Sequence, residues 1–331
     1  MRILSGNQVV VNVGTHAAVP DIPGLKEGKP MTHIEALELD RPPQHLVVIG
    51  GGFVGLELAQ AMRRFGSRVT MLERGQHLIG REDLDVAEAI LHLFQDEGIE
   101  VLFDTEVLDV KGLSGQGVKL RVLNSHGERK MESSDLLVAV GRVPNTQGLG
   151  LEKTGVKTDD RGYIQVNDRL QTSASGIWAM GECAGSPQFT HVATDDFRIV
   201  RDTLNGRTRT TQGRLVPFCI FTDPELARVG LSEAAAQKRQ IPYRVATIPW
   251  RRYAAQLRFR KPVFRSRSWR GNVGVQTAML AKLPYTSLRD AIFAHPTMAE
   301  GLTVLFSAVP ARSNALTTQS RRGRRDSEAV A

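Results

Sequence analysis

Apolar and polar positions along residues 46–103 alternate between two periods. The apolar run 46–49 is typical of a strand buried on both faces. Residues 53–65 then place apolar side chains one helical turn apart, which predicts a helix that ends at Gly66. The alternation continues with a predicted strand, helix and strand at 68–73, 83–96 and 99–103. This order predicts an α/β fold, with a Rossmann-like parallel sheet and crossover helices.

The pattern changes after residue 104. Strand-like runs separated by glycine turns predict an antiparallel excursion with hairpins at 105–111, 117–124 and 135–140. Further strands are predicted at 8–13, 163–167, 177–180, 216–221 and 243–248. Helices are predicted at 190–204, after Ser232, and across 274–307 with breaks at Pro284 and His295-Pro296. The C-terminal part therefore reads as an α+β unit.

Composition sets the broad class of protein. The chain has 331 residues, which at roughly 150 residues per domain predicts about two domains. Its 41% apolar content excludes a disordered or fibrous protein. It contains no apolar stretch of about 18 residues and no secretory signal, so we expect a cytoplasmic protein that does not enter a membrane. Two cysteines support neither a disulfide framework nor a zinc site, so no metal is expected.

The positive charge is concentrated in two segments. Net charge is +8, and residues 251–270 hold eight Arg and Lys with no acid, while the tail adds four arginines. Aromatic residues interleave with these arginines, an arrangement that can stack on single-stranded nucleic acid. We favour a solvated charge run, or a local frame error or deletion, over a nucleic-acid patch.

The glycine turn between the first predicted strand and helix carries the chemistry. It fits G-x-G-x-x-G in a βαβ unit, the context in which this string binds a dinucleotide. The predicted contacts are Gly50, Gly51, Gly52, Phe53, Val54 and Gly55. Glu73, at the end of the next strand, is placed to accept hydrogen bonds from the ribose of NAD, and a carboxylate there disfavours NADP. Arg74 beside it weakens that preference, and the alternative is a glycine turn used for packing alone.

A second glycine turn, at Gly141, follows the apolar run 136–140 and reads Gly-Arg-Val-Pro-Asn. From the residues alone, a cofactor contact and an ordinary turn are equally favoured there.

Several segments in order resemble the class I pyridine nucleotide–disulfide oxidoreductases, the family of dihydrolipoamide dehydrogenase-like and mercuric-reductase-like flavoproteins. They are the crossing at 12–25, the NAD fingerprint at 46–73, the turn at 140–145, the flavin motif at 177–182, and the interface segments at 221–230 and 295–300. In the flavin motif, Glu182 stands where the family usually has Asp.

The resemblance implies a flavoprotein that transfers hydride between a nicotinamide and FAD and forms a homodimer. It implies that Gly181 and Glu182 contact FAD, that Gly141 lies near the nicotinamide, and that His295 is an acid–base oriented by Glu300. The implied division is a first FAD segment at 1–43, an NAD domain at 44–140, a second FAD segment at 141–213, and a dimerisation domain at 214–310. Within the last, 251–273 is atypical, and 311–331 is a basic tail expected to be disordered.

The sequence departs from the family at 251–273, where a shorter arginine-rich run replaces strands of the interface sheet, and in the motifs that it lacks. It has one G-x-G-x-x-G and no C-x-x-x-x-C pair, since its cysteines, Cys183 and Cys219, are 36 residues apart. We therefore expect an N-terminally truncated member with impaired FAD binding and impaired turnover. The alternative is a non-catalytic dinucleotide-binding and dimerisation remnant, or an inactive gene fragment. The substrate of the parent enzyme is left open.

Overall fold

The computed structural model describes residues 6–246, 269–293 and 301–309. The strands, in chain order, are β1 (Val9–Val11), β2 (Thr15–Ala17), β3 (His45–Ile49), β4 (Arg68–Leu72), β5 (Glu100–Leu102), β6 (Glu106–Leu113), β7 (Gly117–Asn124), β8 (Gly127–Ser133), β9 (Asp135–Val138), β10 (Arg142–Pro144), β11 (Ile177–Ala179), β12 (Phe218–Ile220) and β13 (Leu226–Arg228). The helices are α1 (His33–Leu37), α2 (Phe53–Arg64), α3 (Leu84–Asp96), α4 (Thr190–Leu204), α5 (Glu233–Lys238), α6 (Trp269–Leu280), α7 (Tyr285–Arg289) and α8 (Gly301–Ser307).

A four-stranded parallel sheet forms the centre, in the order β5-β4-β3-β9. The chain builds outward from β3 through β4 and β5, then returns to add β9 on the other side of β3. The order therefore reverses between β3 and β9, where open α/β sheets bind ligands at the carboxyl ends of their strands. The predicted α/β fold with a parallel sheet is confirmed.

Alternate residues of β3 pack into two different cores. Leu46 and Val48 face the side of the sheet that α1, α2 and α3 cover. Val47 and Ile49 face the opposite side, which β6, β7 and β8 cover. Full burial of such a side chain stabilises the fold by about 1.5–3 kcal/mol, so a strand apolar at every position is favoured only between two layers.

The antiparallel sheet β6-β7-β8 confirms the predicted excursion and corrects one of its strands. The run predicted at 135–140 is not the third antiparallel strand, because β9 pairs with β3 in the parallel sheet. The third strand is β8, in which Met131 and Ser133 are buried among exposed polar residues. The sequence analysis missed β8 because most of its residues are polar.

The remaining segments pack beside this three-layer unit. β1 pairs in parallel with β11, and β2 pairs antiparallel with β10. The buried residues of α4 include Val192, Ile199 and Val200. The strand predicted at 163–167 is wrong in extent, since Ile164 forms only an isolated bridge with Thr158.

The C-terminal part begins with the hairpin β12-β13, whose Phe218, Ile220 and Leu226 join the core on the helix side of the sheet. The strand predicted at 243–248 is not found across 241–246, and its last two residues lie outside the described ranges. Residues 251–268 of the basic segment, and 294–300, also lie outside them. Among the described helices, none has the length and apolar character needed to cross a bilayer.

Candidate functional site

The glycine turn after β3 is shaped by close approaches of backbone to backbone. Gly50 has φ +107°, and a Cβ there would lie 2.5 Å from the carbonyl oxygen of Ala139. A Cβ on Gly55 would lie 2.2 Å from the carbonyl oxygen of Gly50. Both distances are shorter than any real Cβ contact, so glycine is required at both positions for the strand, turn and helix to pack.

Gly52 has different surroundings. A Cβ built there would meet no heavy atom of the described residues within 4 Å. Gly52 is also the N-cap of α2, and among those same residues no side chain caps this helix end, unlike α1, which Thr32 caps. The first turn of α2, described throughout, contains no acidic residue. Its first amides and the positive end of its dipole are thus available to an anion.

Glu73 lies against the same turn, one residue beyond the end of β4. Its Oε2 accepts a hydrogen bond from the Gly51 amide at 2.7 Å, and its Oε1 accepts one from the Gly75 amide at 2.6 Å. Two backbone donors therefore fix the carboxylate, while its oxygens keep further lone pairs for a ligand hydroxyl. The sequence analysis placed Glu73 at the end of the strand that follows this turn and predicted a ribose contact for it, but it did not predict these hydrogen bonds to the turn.

Gly141 lies three residues beyond the end of the neighbouring strand, β9, and directly precedes β10. It has φ +128°, and a Cβ on Gly50 would come within 3.3 Å of the Cα of Val140, the residue before it. The two glycine turns therefore stand side by side where the strand order reverses. Of the two other predicted contacts, Phe53 is half-buried and Val54 is exposed.

The predicted flavin motif, Gly181 and Glu182, contacts the Gly141 turn through the side chain of Arg142. The Nε of Arg142 lies 3.3 Å from Oε2 of Glu182, and the hydroxyl of Thr15 donates a hydrogen bond to that same oxygen. Because Arg142 directly follows Gly141, one short segment links the end of β9 with this carboxylate.

Two charged residues behind Gly181 were missed by sequence reasoning. The amide of Gly181 donates to Oδ2 of Asp196 at 2.8 Å, and Nη1 of Arg214 lies 2.6 Å from the other oxygen of that carboxylate. Asp196 is fully buried on α4, and Gly181 has φ +68°. A buried ion pair therefore holds the turn that presents Glu182. The sequence signal is weak: an acid at a position of α4 that faces inward.

Neither cysteine is placed as a reactive thiolate. Cys183 is buried, with its Sγ 3.4 Å from the carbonyl oxygen of Met180. Burial, with smaller contributions from Glu225 and Glu57, raises the pKa of the Cys219 thiol to about 11. That thiol is protonated at neutral pH, and a protonated thiol is a poor nucleophile.

Glu57 is a further acid–base group near the glycine turn, on α2. Burial raises the pKa of Glu57 on α2, and its Oε1 accepts a hydrogen bond from the Phe221 amide at 2.8 Å. His295 and Glu300, the predicted acid–base pair, lie outside the described residues.

Comparison with known proteins places this arrangement in a family. A family profile described as pyridine nucleotide-disulphide oxidoreductase matches residues 2–196, and the dimerisation domain of the same family matches 216–261. The probable pyridine nucleotide-disulfide oxidoreductase RclA of Escherichia coli (strain K12) is 35% identical over 332 residues, which cover 92% of this chain and 73% of RclA. The mercuric reductase of Streptomyces lividans is 37% identical, over 72% of this chain and 50% of that protein.

The solved structures agree. The HOCl-induced flavoprotein disulfide reductase RclA from Escherichia coli superposes with a TM-score of 0.81 at 33% identity, covering 92% of this chain and 74% of that one. The chain thus spans about three quarters of RclA and about half of that mercuric reductase. The chain belongs to the pyridine nucleotide-disulfide oxidoreductase family, whose members are flavin-dependent and use NAD(P)H.

Proposed function

We propose that this chain binds NAD(H) at the glycine turn after β3 and takes part in hydride transfer between the nicotinamide and FAD. The observation that carries this proposal is the uncapped start of α2, with open space at Gly52. A pyrophosphate needs a close backbone approach and free amide donors, and Gly52 provides both. The close-packed positions Gly50 and Gly55 keep that helix end aimed at the crevice.

Glu73 sets the preference for NAD over NADP in this proposal. Its carboxylate, held by Gly51 and Gly75, accepts hydrogen bonds from the adenosine ribose hydroxyls. A 2′-phosphate at the same place would bring two anionic groups together, at a cost of about 4 kcal/mol for unit charges 4 Å apart near a protein surface. Arg74 is exposed beside it and offsets part of that repulsion.

The described residues fit part of FAD. The carboxylate of Glu182 is 28% exposed and carries an ordered partner in Arg142, so it is suited to accept a hydrogen bond from the flavin's ribityl chain. FAD, when bound, supplies the ring that exchanges hydride with the nicotinamide. The described residues offer one glycine-lined phosphate cradle, and we assign it to NAD(H). We therefore propose weak FAD binding by this chain alone.

We also propose that the chain by itself turns over disulfides poorly. The high pKa of Cys219 and the burial of Cys183 support this, because thiol–disulfide exchange requires an accessible thiolate. A non-catalytic dinucleotide-binding and dimerisation unit is the second candidate, and the single cradle is the observation that favours it.

The match of residues 216–261 to the dimerisation domain supports a homodimer. The roles of His295 as acid–base and Glu300 as its orienting partner, together with the division at residues 43, 140 and 213, are proposed on the family resemblance.

Titration of the purified chain with NADH and NADPH in a calorimeter, alongside its visible spectrum, tests the proposal. We expect NADH to bind more tightly than NADPH. A flavin absorbance band near one per chain supports the flavin-dependent function, whereas colourless protein that binds NADH supports the second candidate. Absence of heat with either nucleotide would contradict both.

A further inference from the structure

Aromatic rings from three separate parts of the chain meet beside the glycine turn. Phe53 begins α2, Phe189 directly precedes α4, and Phe218 begins β12. The Phe53 and Phe218 rings stack with centroids 5.2 Å apart and planes 20° from parallel, and Phe189 and Phe218 stack at 5.8 Å and 9°. The His191 ring stacks on Phe189 at 5.3 Å. We call these four residues the aromatic junction.

Phe218 is held firmly within the junction. It is 8% exposed, and the guanidinium of Arg228 lies 4.7 Å from its ring centroid. Arg228 in turn forms an ion pair with the buried Glu82 at 2.9 Å and donates to the Gly230 carbonyl at 2.6 Å. The position of Phe218 is thus fixed by the β12-β13 hairpin, within the segment that matches the dimerisation domain.

Phe53, in contrast to Phe218, lies in a turn that has few side chains to hold it. It directly follows Gly52, and the first turn of α2 also contains Gly55, so two positions of this turn have no side chain with which to anchor the backbone. Val54, between them, is 38% exposed. The side chains that hold this turn are therefore the half-buried ring of Phe53 and the fully buried Leu56, and Phe218 is a ring on which Phe53 stacks. The amide of Phe53 is among the first free donors of α2.

We propose that Phe218 is a positioning residue for dinucleotide binding. It holds the first turn of α2 through the ring of Phe53, so that affinity for NADH depends on a side chain of the dimerisation segment that acts through another residue. The inference rests on the proposed function, because it presumes that this turn binds NADH.

A double-mutant cycle on NADH affinity, followed by NADH fluorescence, tests the inference. Loss of an aromatic pair corresponds to a change of about two- to tenfold in affinity, so we expect Phe218→Leu to weaken NADH binding about fivefold. Phe218→Tyr keeps the ring and should stay within about twofold of the parent chain. In the cycle, Phe53→Leu with Phe218→Leu should bind NADH no more than about twofold worse than Phe53→Leu alone, because the two rings act as one unit.

Ile220→Ala is the matched control, since Ile220 is fully buried on the same strand. It should lower the melting temperature yet leave NADH affinity within about twofold, while a merely structural role of Phe218 predicts equal losses in both variants. If Phe218→Leu does not fold, Phe218→Met repeats the comparison, because the flexible Met side chain fills an irregular space better than Leu and likewise has no ring.

An unchanged affinity in Phe218→Leu, or fully multiplicative losses in the cycle, would overturn the inference alone. Failure of the parent chain to bind NADH would overturn the proposed function and this inference with it.

Discussion

The two glycine turns that carry the predicted cofactor contacts, at Gly52 and at Gly181, are built in contrasting ways. A Cβ on Gly52 would stand in open space, whereas one on Gly181 would lie 2.7 Å from Oδ1 of Asn12. The first turn leaves helix amides without a side-chain cap, but the second uses its amide to bind Asp196. The first, which we propose as the phosphate cradle, is thus built from backbone, and the second is a support built from side chains for one carboxylate, Glu182. The conformation of the cradle is determined by residues that are close together in the sequence. The support of Glu182 is formed by side chains that are far apart in the sequence.

We expect the largest effect on stability from substitutions in the side-chain support of Glu182. Asp196→Leu should lower the free energy of unfolding by about 3–5 kcal/mol, because it leaves Arg214 without its closest carboxylate in a largely buried place. Urea denaturation measures this loss. Arg209→Gln, which removes the more exposed Arg209–Asp195 ion pair and leaves Arg214 in place, is the control, and we expect it to cost about 1 kcal/mol or less. Equal losses in the two variants would show that the buried pair has no special role.

The next largest effect on stability is expected at Gly55, the close-packed position of the cradle. Gly55→Ala should lower the free energy of unfolding by about 2–3 kcal/mol, since the new Cβ would meet the Gly50 carbonyl, and this strain exceeds the gain of about 1 kcal/mol in helix propensity. Gly52→Ala, with φ −83° and open space, should cost under about 1 kcal/mol. Thermal and urea unfolding measure the stability of both variants. A Gly55→Ala variant that is more stable than Gly52→Ala would contradict the described packing.

A smaller effect is expected on nucleotide selectivity. Glu73→Ala should weaken NADH binding about tenfold, equivalent to about 1.4 kcal/mol, and bring NADPH affinity closer to that of NADH. Calorimetry with both nucleotides measures the ratio. Glu88→Ala, at an exposed position of α3, should change neither affinity. An unchanged NADH affinity in Glu73→Ala would remove Glu73 from the site.

The smallest effect concerns the pH dependence of stability at α2. Burial raises the pKa of Glu57 in the folded chain, so its protonated form is favoured there more than in the unfolded chain. The resulting stabilisation is present below pH 4.5, the unfolded value, and is lost as pH rises through the folded pKa.

Glu57→Gln should remove that dependence, and should raise the free energy of unfolding at pH 7 by less than about 1 kcal/mol, because solvent screens this half-buried group. Urea unfolding at pH 4 and pH 7 measures it. Glu88→Gln should retain the parent's pH dependence, and the same retention in Glu57→Gln would contradict the assignment.

Sequence reasoning recovered the parts of the molecule that depend on local pattern. The strand–helix alternation, the turn at Gly50–Gly55 and the place of Glu73 at the end of the next strand follow from periodicity and βαβ geometry. The strand β8 was missed because most of its side chains are exposed and polar. The run before Gly141 was read as part of the hairpins, since nothing in its apolar residues says that β9 pairs with β3, far away along the chain.

The support behind Glu182 could not be found from the sequence. Asp196 and Arg214 are separated from each other by part of α4 and the segment that follows it, and Thr15 lies 167 residues before Glu182. Such contacts are decided by tertiary packing, and an acid on an amphipathic helix is ordinarily solvated. The resemblance to a family identified the motif at Gly181 and Glu182. The ion pair that holds this motif could be identified only from the structure.

Gly52→Asp is the measurement that bears most directly on the claim that the start of α2 is a dinucleotide cradle. A carboxylate at this N-cap accepts hydrogen bonds from the free amides and suits the helix dipole, so the melting temperature should stay the same or rise. The same carboxylate would occupy the pyrophosphate position and repel it, so NADH affinity should fall about 100-fold or more. Stability and binding would then change independently or in opposite directions. NADH bound as tightly by Gly52→Asp as by the parent chain would contradict the account.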